Sequence, residues 1–184
     1  MNERAAVQAV YTVLDSARAS LVTGITHNGV ARTIKHLSTT NLAAPVEYYA
    51  VSVECTSCKE FSMQGANSVA GVPWAVYEMV IQLGDVANIQ PSSDTNPYET
   101  AHADFRKLRD RVVKLIRETV KWMPASSANP RFRLAVGNGE YDRPVSVENQ
   151  NFTFSDIEDV EYAMLFSRIS FSLQDHCSDS SLLY

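Results

Sequence analysis

Between Asn2 and Leu21 the apolar residues Val7, Val10, Tyr11, Leu14, Ala17 and Leu21 recur at spacings of three and four. An α-helix turns once per about 3.6 residues, so these positions form one stripe and predict an amphipathic helix with a buried face. A second stripe, Phe105, Leu108, Val112, Leu115, Ile116 and Thr119, predicts a helix from Ala101 to Trp122. Thr100, at the end of the turn-rich IQPSSDTNPYET, is the expected N-cap, and Pro124 the stop.

Elsewhere the pattern alternates. Tyr49, Val51, Val53 and Cys55 face one way within Glu47–Cys55, with Ala50, Ser52 and Glu54 facing the other. Ala75, Tyr77, Met79, Ile81 and Leu83 do the same in PWAVYEMVIQLGD, where Gly84-Asp85 reads as the stop. A short strand is expected at Arg131 to Val136, a weakly alternating extended stretch from Pro144 to Phe154, and a long strand from Tyr162 to Leu173 with a wet face. The stretch from Gly24 to Pro45 reads as loop with one short strand near Ala31 to Ile34, and Thr56 to Gly71 as a polar excursion.

Helix, strand, strand, helix, strand, strand, strand, without regular βα alternation, predicts an α+β fold: a mainly antiparallel sheet with two amphipathic helices packed on one face. A chain of 184 residues suits one domain, here 1–184 with a mobile C-terminal tail from about 174. No apolar run approaches the ~20 residues of a membrane span, and Glu3 and Arg4 interrupt any signal-peptide core, so no membrane partner is expected. Three cysteines are too few for a disulfide scaffold and suit a reducing cytoplasm.

Charge narrows the reading further. A net charge of -5 argues against general nucleic-acid affinity. Yet the second helix carries seven of the sixteen basic residues, whereas Glu140 to Glu161 holds seven acidic residues against Arg143 alone. Either these are ordinary solvated faces, or copies pack with Arg106, Arg109, Arg111, Lys114 and Arg117 of one subunit against an acidic edge of the next. That edge would be formed by Glu140, Asp142, Glu148, Asp156, Glu158 and Asp159.

Candidate chemistry is sparse. Cys55-Thr-Ser-Cys58 has the spacing of a redox pair or half a zinc site, but a strand precedes it where a redox pair would open a helix. Cys177 and the histidines His27, His36, His102 and His176 offer no second ligand pair at typical spacing, so free structural thiols are expected. Glu158, Asp159 and Glu161 could hold a cation or act as an acid-base pair, though a charge run beside a strand is ordinarily solvated; His102 in the first helical turn reads as a surface residue. No phosphate loop, nucleophile elbow, dinucleotide fingerprint or zinc-protease motif occurs, so no catalytic residue, metal or cofactor is assigned.

The N-terminal amphipathic helix, the long strand WAVYEMVIQL and its following loop, the helix ADFRKLRDRVVKLIRETV and the last strand EYAMLFSRISFSL together resemble the tail terminator and tail-completion (neck) proteins of tailed bacteriophages. The resemblance rests on element order and covers most of the chain. It implies a non-enzymatic virion subunit, assembled in the host cytoplasm, forming a hexameric ring that caps the tail tube. Tail tube protein and head-tail connector would be its partners, with DNA passing through the lumen without specific binding. It transfers no site residues. Another neck or minor tail protein is the neighbouring reading, and a small metal or thiol protein using Cys55 and Cys58 the rival from another class. An adaptor binding one partner through the basic helix is a third.

Overall fold

The computed structural model describes residues 3–27, 30–40, 49–60, 75–89, 96–119, 121–124, 132–135, 145–155 and 160–175. In chain order these residues form α1 (Glu3–Val22), β1 (Thr26–His27), β2 (Val30–Ala31), β3 (His36–Ser38), β4 (Ala50–Glu60), β5 (Ala75–Asn88), α2 (Pro97–Glu118), β6 (Phe132–Leu134), β7 (Ser146–Ser155) and β8 (Glu161–Asp175). The α+β class and its mainly antiparallel sheet are as the sequence pattern predicts.

The sheet is built around its two longest strands. β5 and β8 run antiparallel from Ala75↔Asp175 to Asn88↔Tyr162 without a break in register. β4 adds antiparallel to the other side of β5, and β3 adds parallel to the start of β4. The free side of β8 is shared by β7, along Glu161 to Ser170, and β6, along Leu173 to Asp175. On one face Val51, Val53, Tyr77, Met79, Ile81, Leu83, Leu165, Ile169, Phe171 and Leu173 are buried with Ala6, Ala9, Val10 and Leu14 of α1 and Phe105, Leu108, Val112 and Ile116 of α2. Both helices therefore cover the same face, as their apolar stripes require.

Local chemistry sets the helix ends. Gly24 sits in the left-handed region at φ 70°, a conformation costly for a residue with a Cβ, and turns the chain out of α1. α2 starts earlier than the Thr100 cap predicts. Asn96 is the N-cap, its side chain accepting from the Glu99 N–H at 3.3 Å, and Pro97 takes the first turn, where its missing N–H costs nothing. At the other end the Thr119 N–H closes the last turn on the Leu115 carbonyl, but its backbone is extended (φ -77°, ψ 102°), so the helix stops at Glu118 rather than Trp122. Trp122 instead bridges to Phe132 and stacks on Phe171 at 6.0 Å.

Three other expectations change. Gly84-Asp85 does not stop β5: Gly84 lies in register between Ala50 and Phe166, and Asp85 is buried against Arg32. In Gly24 to Pro45 the one short strand expected near Ala31 to Ile34 lies at Val30–Ala31 instead, and the reading misses its hairpin partner β1 and β3, because two- and three-residue strands show no period of their own. β8 continues through Asp175, which is buried, two residues beyond the Leu173 that the alternation predicts.

Arg32 reaches both carboxylate oxygens of Asp85, with side chains only 3% and 1% exposed, and its guanidinium lies 5.0 Å from the Tyr49 ring centroid. Burial pushes the Asp85 carboxyl above its ordinary range while the Arg32 charge pulls it back, and burial raises the Tyr49 phenol. His27 adds a hydrogen bond from its ring Nε2 to the Asn88 carbonyl at 2.9 Å. This polar knot ties the β1–β2 hairpin to the far end of β5.

Candidate functional site

α2 carries six basic and four acidic residues, a local excess of +2 in a chain whose net charge is -5. Its helical turn splits the basic residues among three directions. On the flank beside β7, His102, Arg106 and Arg109 line a cleft of about 320 Å³ with Phe105, Asn149 and Asn151. On the flank beside α1, Arg111 donates to the carbonyls of Leu21 at 2.9 Å and Thr23 at 2.8 Å, tying down the end of α1. On the outer ridge, Lys114 pairs with Glu118 at 3.6 Å and Arg117 is exposed in the last turn.

The five basic residues singled out from the sequence thus do not form one surface. Arg106 is exposed, whereas Arg109 binds its neighbour Asp110 at 2.7 Å and donates to the Asn149 amide oxygen at 3.3 Å. Arg111 is occupied in holding the two helices together. Of the acidic set, Glu148 is exposed on β7, cross-strand from Arg168 on the face away from the helices. Glu140, Asp142, Asp156, Glu158 and Asp159 lie outside the described residues.

β7 completes this side of the molecule. All ten of its residues pair in register with β8, and among the described residues no other strand pairs with it. Ser146 to Thr153 are exposed on both faces, including Val147 and Phe152 at 37% and 57%. Asn149, Asn151 and Thr153 share the helix side, since their partners Ser167, Leu165 and Ala163 are buried beneath α2. Asn149 is held there by the Ser167 hydroxyl as well as by Arg109.

His102 lies in the cleft with its ring Nε2 3.1 Å from the Tyr98 hydroxyl. Partial burial and the nearby Arg106 charge lower its pKa below the usual 6.5, favouring the neutral imidazole at pH 7. It has no carboxylate within the cleft lining, the group that would orient it as a base.

Cys55 and Cys58 both lie on β4, not in a loop after it. Residues three apart on a regular strand point to opposite faces. Here a β-bulge intervenes: Cys55 stands opposite Met79, Thr56 is the extra residue, and Cys58 stands opposite Tyr77. Both thiols therefore point to the helix-covered face and pack against the core. Burial, reinforced by Glu3 and Cys58, pushes the Cys55 thiol up to about 11, the reverse of the shift that activates a redox cysteine. Among the described residues no three His, Cys, Asp or Glu side chains gather in a way that could hold a metal ion.

The sequence pattern identifies the basic residues of this region but not the groups that shape it. Asn149 and Asn151 sit in the weakly alternating stretch, and their only sequence signal is a polar strand with a single charge, Glu148. Among the described residues no helix is long and apolar enough to cross a membrane. No protein-family model matches the chain, and no curated protein matches its sequence.

Proposed function

We propose that the protein is a structural subunit of a tailed-phage neck, most closely of the tail-terminator kind, working as a ring that caps the tail tube and joins it to the head connector. The observation that carries this reading is one side of the fold: β7, which among the described residues pairs with β8 alone, beside the basic flank of α2 at Arg106 and Arg109. A monomeric domain ordinarily blunts such an edge with lysine, proline, bulges or a covering element. β7 between Ser146 and Ser155 has neither lysine nor proline and no bulge, so it is built to be covered by another chain. Contacts between unlike surfaces of neighbouring copies close into rings where the rotation allows it.

Light scattering on the purified protein, with negative-stain electron microscopy, tests the reading. Closed rings of about six copies support it. A protein that stays monomeric both alone and with assembled tail tubes overturns it.

A further inference from the structure

We infer that β7 is a strand-addition site, and that its occupant is an extended acidic segment of a partner protein with a carboxylate that reaches Arg106. The inference stands on β7 and α2 alone and does not depend on ring formation.

The backbone argument comes first. A strand paired on one side presents N–H and C=O groups on its other side, spaced for a second ladder. Among the described residues β7 offers this along ten residues, and its side chains from Ser146 to Thr153 are exposed on both faces. An added strand would lie about 4.8 Å beyond β7, and alternate side chains would point to the helix side. There they would meet the cleft lined by His102, Arg106, Arg109, Asn149 and Asn151. An arginine side chain spans that offset, so a carboxylate on the added strand can take a bidentate bond.

Charge chooses among occupants. A second β7, added across a two-fold axis, would bring Arg106 of both copies together on the helix side of the joint, which like-charge repulsion opposes. A basic segment would meet the same repulsion. An acidic segment meets the exposed Arg106 on the helix side, Arg109 there being already paired to Asp110 at 2.7 Å, and on the other face only Glu148, already opposite Arg168. Phe152, exposed on that other face, gives an apolar contact for an aliphatic side chain of the added strand.

The test uses the full chain and a capped ten-residue peptide alternating Glu and Val, with a Lys and Val peptide of equal length as control. Fluorescence anisotropy should show the acidic peptide binding at least tenfold tighter than the basic one, with the preference shrinking as salt rises. Arg106→Glu combined with Arg109→Gln should abolish the preference. Hydrogen exchange should show new protection of β7 amides on adding the acidic peptide, a readout that loss of charge alone would not give. Equal binding of the two peptides, or acidic binding without β7 protection, overturns the inference. So does dimerisation of the protein alone with β7 amides protected, which would make a second copy the occupant.

Discussion

Replacing Asp85 by alanine should destabilise the fold far more than deletion of a single surface carboxylate. Arg32 and Asp85 are 3% and 1% exposed, so removing the acid leaves a guanidinium in the interior without its counter-charge. Breaking one partner of a buried pair costs about 3–5 kcal/mol, and a Coulomb estimate of about 4 kcal/mol for charges ~4 Å apart in a medium of effective dielectric ~20 agrees. In a chain of 184 residues each kcal/mol moves the midpoint by about 2–4 °C, so Asp85→Ala should melt about 10 °C lower. Removing both charges, as Arg32→Met with Asp85→Leu, should return stability to within about 2 kcal/mol of the parent, because the desolvation cost disappears with the attraction. Urea unfolding of the parent, Arg32→Met, Asp85→Leu and the double variant gives the cycle, with the slope checked for constancy. If Asp85→Ala costs under about 1 kcal/mol, or if the two single costs simply add in the double variant, the pair is not the charge-compensated knot described.

The remaining predictions concern β4. Thr56 is the extra residue of the bulge, so deleting it leaves Cys55 opposite Met79 and Cys58 opposite Tyr77; the deletion should cost within about 1–2 kcal/mol, the hydrogen bond of its hydroxyl to the Glu78 carbonyl included. Deleting Val53, by contrast, turns one end of the strand over and removes a buried side chain, and should prevent cooperative folding; equal melting temperatures for the two deletions would show that the bulge does not set the register. With Cys58→Ser and Cys177→Ser in place, alkylation of Cys55 by iodoacetamide should still be accelerating at pH 9.5, because its thiol titrates near 11; a rate already level at that pH would contradict the burial of this thiol.

What the chain determined by itself is the set of long elements. The stripes through Val10 and Leu14 and through Phe105, Leu108 and Val112, and the alternation from Ala75 to Leu83, encode burial on one side at the helical and strand periods. Those signals are local, and they sufficed for the α+β class. The fold decided whatever depends on partners distant in sequence. β1, β2 and β3 are too short to carry a period and exist because Arg32 finds Asp85 and His36 pairs with Ala50. The common direction of Cys55 and Cys58 needs a bulge that only pairing with β5 reveals. Likewise the basic residues of α2 read as one charged helix, but tertiary packing gives Arg111 to the end of α1 and leaves Arg106 and Arg109 beside β7. A helix sequence records how many charges it bears; only the neighbours packed against each flank determine which of them still face solvent.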